Sequence, residues 1–271
     1  YCGWVSGYCS WVSFYGILGG GAIHIRPGRY PVHEVAENIL FVVVVVTVEY
    51  LKNNDYQVFE LAWKHGWPKH AEGHGFKDAL CGYEEALRWA VAHLADNKNT
   101  VCAQGNSAGS FQIAYGLASY GMEDIFDAVV MSGGPPVSRL DVSCFGTKDD
   151  DLRGAEWPDG IAGRGLVDIA MGWSRAGDYC KSRQYSPERE KSLQDTSLVS
   201  PSETRDYKYK TVVIFVNSED DYSKSDEASR IYFNKIQSEK YWYEIKGTEH
   251  NVDQTKEGAS LIRDILVKKC N

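Results

Sequence analysis

No stretch of this 271-residue chain approaches the roughly 18 to 20 consecutive apolar residues that a membrane-spanning helix needs. The longest apolar run, Ile39 to Val48, reaches about half of that length. Positive charge is also short, with 29 Lys and Arg against 37 Asp and Glu and a net charge of −8. That balance argues against nucleic acid or an anionic membrane surface as a partner. No pair among the seven cysteines, at 2, 9, 81, 102, 144, 180 and 270, has the C-x-x-C spacing of a metal or redox site. So many cysteines without such a pair point to disulfides and an oxidising compartment. The chain also lacks an initiator methionine, beginning at Tyr1 as a mature form does after signal removal. A secreted or otherwise extracytoplasmic location is therefore expected. Because the cysteine count is odd, one thiol is left over. Cys102, inside an apolar stretch, is the candidate for it, whereas Cys144 and Cys180 fall in one segment and can staple it.

What the chain does have is core material. A hydrophobic content of 43% is ample for one large α/β domain spanning residues 1–271. The sequence is organised around Thr100 to Gly109, where an apolar run meets a serine bracketed by glycines, Gly105-Asn106-Ser107-Ala108-Gly109. The G-x-S-x-G spacing has a steric reason. A strand that turns abruptly into a helix holds the serine in a strained conformation in which side chains two residues before and after clash. The expected helix after it carries Phe111, Ala114, Tyr115 and Ala118 on one face, and Gly121 supplies its stop.

The same alternation runs along the chain. Ser13 to Leu18 is a short apolar strand that ends in Gly19-Gly20-Gly21, where backbone N–H groups can turn towards a ligand. Pro31 to Asp55 has helical spacing interrupted by Val42 to Val46, whose β-branched composition suits a strand while its place in the chain suits a helix. Tyr56 to Ala62 reads as a strand. The loop Trp63 to Gly75 after it carries His65, His70 and His74, but neither H-E-x-x-H spacing nor an acidic ligand in register, so no metal is expected there. Ala79 to Ala95 is an amphipathic helix leading into the Ser107 strand. Ile125 to Met131, Thr211 to Val216 and Tyr241 to Ile245 complete the strands, and helices follow at about 226–238 and 258–268. Strand alternating with helix implies a doubly wound, mostly parallel sheet with helices on both faces. Residues from about 137 to 209 lose this periodicity, apart from a helical patch at 165–173, and are too long for a connection. They read as an inserted cap or lid.

Ser107, the acidic cluster Glu219-Asp220-Asp221 and His250 all fall at the carboxyl ends of expected parallel strands, the edge where open α/β sheets bind ligands. Of seven histidines only His250 follows Ser107. Asp220, four residues beyond the expected strand end, is the preferred acid to hold His250 in its working tautomer, and Asp221 is the alternative.

On Gly105-Asn106-Ser107-Ala108-Gly109 and the order Ser, acid, His, the chain resembles the α/β-hydrolases of the secreted esterase and lipase type. The resemblance implies that Ser107 attacks an ester carbonyl, that His250 acts as base and then acid, and that water releases the acyl group. It also implies an oxyanion hole from the N–H of Ala108 and one from Gly20 or Gly21, although Leu18 stands before the glycines where many such esterases have histidine. A small-molecule or lipid-like ester is the expected substrate, and no cofactor is expected. A serine peptidase or thioesterase shares the same chemistry. A binding protein that keeps the fold without turnover is the reading from another class, with 13% aromatic residues to stack on a ligand.

Overall fold

A computed structural model describes residues 11–17, 50–51, 53, 56–62, 76–94, 100–146, 161–173, 177–200, 205–221 and 225–270. The apolar runs become one six-stranded sheet of β1 (Trp11–Ile17), β2 (Tyr56–Ala62), β3 (Val101–Asn106), β4 (Ala128–Ser132), β5 (Val212–Ser218) and β6 (Lys240–Ile245), in the order β2-β1-β3-β4-β5-β6. From β3 to β6 every pairing is parallel. β1 runs antiparallel to both neighbours, pairing Val12 with Gly105 and Gly16 with Val101. Its last residues therefore lie at the end of the sheet away from Ser107. The glycines 19–21, the valine run at 42–46 and the histidine loop 63–75 lie outside the described residues.

Alternation along the strands sorts side chains to two faces. On one face Val101, Ala103, Val129, Met131, Val213 and Phe215 are buried with helices α1 (Phe76–Leu94) and α2 (Ala108–Tyr120). α6 (Ser225–Lys235) adds Tyr232 there. On the other face Cys102, Ala128, Val130, Ile214 and Val216 meet Ile262, Ile265 and Leu266 of α7 (Lys256–Lys269). Strands buried on both faces explain why these runs are continuously apolar rather than alternating.

This sorting corrects the expectation of a free Cys102. The face it occupies is the one that α7 covers, and Cys270, immediately beyond that helix, closes a disulfide with it. β3, which leads into Ser107, and the residue just after α7 are thus covalently joined in the core.

Between β4 and β5 lie α3 (Leu140–Phe145), α4 (Ile161–Ala170) and α5 (Pro187–Thr196). A Cys144–Cys180 disulfide ties the first of these to the segment after α4. Asp168, fully buried on α4, accepts backbone hydrogen bonds from Cys180 and Lys181 at 2.8 and 2.9 Å. Tyr115 of α2 donates to the carbonyl of Thr196 at 2.7 Å, which pins α5 to the core. α5 went unread in the sequence, although Ser186 caps its N-terminus by accepting from the Arg189 N–H and Pro187 starts it.

Candidate active site

Ser107 stands between β3 and α2 with φ 52° and ψ −111°, a backbone conformation that costs a non-glycine residue free energy of order 1–3 kcal/mol. The turn is held by its own backbone. The Ser107 N–H donates to the Ser132 carbonyl of β4 at 2.9 Å, while its carbonyl accepts from the Phe111 N–H and the Ser110 hydroxyl. A Cβ on Gly105 stands 2.5 Å from the backbone carbon of Gly109, so the two bracketing glycines sit against each other and leave no room for a side chain.

His250 follows β6 in a loop and is buried. Its Nε2 lies 2.8 Å from Ser107 Oγ, and its Nδ1 lies 2.9 Å from Asp221 Oδ2. A carboxylate only accepts, so the neutral tautomer that satisfies both contacts carries its proton on Nδ1 and leaves Nε2 to accept the Ser107 hydroxyl. Asp221, whose side chain has no exposed surface, also accepts from the hydroxyl of Ser225, the first residue of α6. The positive end of that helix thereby meets the buried carboxylate.

The acid that the structure brings to His250 is Asp221, not Asp220. β5 runs on to Ser218, two residues past Val216, and of the three acids that follow it is Asp221 that is buried. The side chains of Glu219 and Asp220 are exposed on the turn, where Asp220 accepts from the Gly247 N–H at 2.6 Å and ties the two loops together.

No protein-family model matches the chain, and no curated protein does. Solved structures do. Carboxyl esterase 2 from the mycorrhizal fungus Tuber melanosporum superposes with a TM-score of 0.56 at 14% identity, over 86% of this chain and 73% of that one. The chain has the α/β-hydrolase fold. A carboxylesterase of the thaumarchaeon Nitrososphaera gargenis (TM-score 0.45, 13% identity, 84% of this chain and 86% of that one) is also similar. So is a monoacylglycerol lipase of Paleococcus ferrophilus (TM-score 0.44, 15% identity, 82% and 86%).

Within this α/β-hydrolase framework the loop after β4 makes room for the histidine. Gly133 has φ 51°, and a Cβ there stands 2.4 Å from the His250 carbonyl oxygen. The neighbouring Gly134 N–H donates to Asn217 of β5 at 3.1 Å. The sequence shows Gly133 and Gly134 only as a strand-closing turn; their approach to His250 is a tertiary fact. Ala108 opens α2, and its N–H belongs to the first turn, whose donors have no acceptor within the helix. On the far side of His250, Asp253 lies in a 3-10 turn at 252–254, with its Oδ1 buried and without a hydrogen-bond partner. Burial pushes its carboxyl up to about 6, against a smaller opposing pull from its own backbone N–H and from His250.

Proposed function

We propose that the chain is a serine hydrolase of carboxylic esters, with Ser107 as nucleophile, His250 as general base and then acid, and Asp221 orienting the imidazole. The observation that carries this reading is the unbroken line from Ser107 Oγ through His250 to Asp221, at 2.8 and 2.9 Å, with the serine raised on a strained strand-to-helix turn. In the acylation step the Ser107 hydroxyl loses its proton to His250 Nε2 as its oxygen bonds to the ester carbonyl carbon. The resulting oxyanion is met by the Ala108 N–H, reinforced by the positive end of the 13-residue α2. The imidazolium then gives its proton to the departing alkoxide. In the second half-reaction His250 takes a proton from water as the water attacks the acyl-enzyme, and returns it to Ser107.

The structural likeness to a fungal carboxyl esterase supports esters as the substrate class, and we read them as small-molecule or lipid-like. We read the insertion at about 137–209, which holds α3 to α5, as a cap or lid on a single domain. The two disulfides favour an oxidising, extracytoplasmic setting. No helix among the described residues is long and apolar enough to cross a membrane.

The test is covalent. An alkyl fluorophosphonate should modify the native protein at Ser107 and leave Ser107→Ala unmodified, and nitrophenyl esters should turn over faster than matched peptide or thioester substrates. A wild-type protein that stays unlabelled overturns the hydrolase reading. Labelling with preferential peptide or thioester turnover overturns the ester assignment alone.

A further inference from the structure

Asp221 receives more than the histidine. The Ser225 hydroxyl donates to Asp221 Oδ2, the same oxygen that faces His250 Nδ1, and lies 3.5 Å from that Nδ1. Ser225 is completely buried and stands four residues after the carboxylate at the start of α6. Its backbone carbonyl is engaged by the Ser229 hydroxyl at 2.6 Å, and that hydroxyl also reaches the Pro135 carbonyl in the loop after β4, so the start of α6 is braced against the core. A hydroxyl held this firmly beside a shared carboxylate oxygen has a chemical consequence. By donating to Oδ2 it disperses the charge that the imidazolium needs, and it fixes the plane of the carboxylate against rotation.

We propose that Ser225 is a positioning residue of the Ser107–His250–Asp221 array, its hydroxyl setting both the orientation of Asp221 and the strength with which Asp221 holds the histidine. This inference rests on the hydrolase reading above. Removing the hydroxyl leaves more of the carboxylate charge to His250, so the imidazolium is better stabilised and the base is uncovered only at higher pH. At the same time the carboxylate, with one brace fewer, holds the ring less firmly. His250 is also hydrogen-bonded to Ser107 and Asp221, and the buried carboxyl of Asp253 acts on it through its charge, which likewise favours the imidazolium. That carboxyl titrates in the range where histidines ordinarily do and must be separated from the effect.

The experiment follows the rate constant for fluorophosphonate modification of Ser107 against pH, which needs no knowledge of the natural substrate. In Ser225→Ala the plateau rate should fall roughly tenfold and the acid limb should move up by about half a pH unit, sizes appropriate to losing a hydrogen bond to a charged group. Ser225→Thr, which keeps the hydroxyl, should return the limb to its wild-type position. The shift should persist in an Asp253→Asn background, which rules out Asp253 as its source. If Ser225→Ala does not fold, Ser225→Cys, close in size and a poor donor, carries the same expectation. A labelled wild type whose plateau and limb are unchanged in Ser225→Ala, or in Ser225→Cys where that variant stands in, overturns the role of Ser225 while leaving the hydrolase reading standing. A wild type that does not label at all overturns that reading instead.

Discussion

The two sides of the site are built by different means. On the Ser107 side the backbone does the positioning. Ser107 is held at φ 52°, its N–H is fixed to β4, and Gly105 lies against Gly109 with no space between them. On the acid side the positioning is done by side chains, because Asp221 is selected from three consecutive acids by its burial and by the hydroxyl of Ser225. Backbone geometry restricts which residue types can stand at fixed offsets, whereas a side-chain hydrogen bond can be supplied from many positions. The first kind of order leaves a spacing in the sequence and the second does not.

The acid side is where a single substitution should do most. Asp221→Asn keeps the shape but offers His250 an amide in place of the carboxylate, which favours the wrong tautomer, and turnover of a nitrophenyl ester should fall by about four orders of magnitude. Asp220→Asn should change turnover by less than about twofold, since the Asp220 side chain is exposed and, among the described residues, accepts from the Gly247 N–H. A larger loss in Asp220→Asn than in Asp221→Asn reverses the assignment. The pair of variants tests whether the choice between neighbouring acids is made by burial and contact.

On the nucleophile side the expected failure is structural. A methyl at Gly105 meets the Gly109 carbon at 2.5 Å and its carbonyl oxygen at 2.7 Å, both backbone atoms that cannot swing aside. Gly105→Ala should therefore cost about 3 kcal/mol, the upper end of ordinary overpacking, and lower the melting temperature by about 6 to 12 °C. Calorimetry checks the loss. A melting temperature within a degree or two of the wild type means that the turn can open, and the backbone account of Ser107 then fails.

These contrasts explain how much was legible beforehand. Strands such as Ala128–Ser132 and helices such as 256–269 are legible by pattern, because a strand buried on both faces must be apolar nearly throughout and a surface helix must be two-sided. Ser107 and His250 were marked by spacing and by chain order. The antiparallel direction of β1 was not legible, since a short apolar run reads the same in either direction. Cys102 was misread for a related reason. Its partner, Cys270, lies 168 residues away, and only the sorting of β3 side chains towards α7 brings the two together. Asp220 and Asp221 are not told apart by the sequence because the choice is made by burial and by the contacts of Asp221 with His250 and Ser225, which leave no spacing to read.

Asp253 offers the smallest effect and the finest test of the acid side, since it is a buried carboxyl under the influence of His250 whose Oδ1 has no donor among the described residues. Its residue keeps some exposed surface, but Oδ1 is fully covered and unpartnered, and burial holds the group at about 6 instead of 3.8. A carboxyl raised in the folded state binds its proton more tightly there than in the unfolded chain. Its ionisation therefore costs stability at neutral pH, and that cost fades as pH falls through about 6 and is gone below about 3.8. Asp253→Asn should accordingly stabilise the protein at pH 7, by at most about 3 kcal/mol, with the gain shrinking to nothing by about pH 4. Because the variant also removes a negative charge from beside the imidazole, the acid limb of Ser107 labelling should move slightly to lower pH, opposite to the shift expected for Ser225→Ala. Urea unfolding at several pH values measures the first effect and the labelling rates measure the second. A gain that grows towards acid, or a limb that moves upward, shows that Asp253 is held by a partner in the folded protein as Asp221 is, and removes the contrast between the two carboxyls.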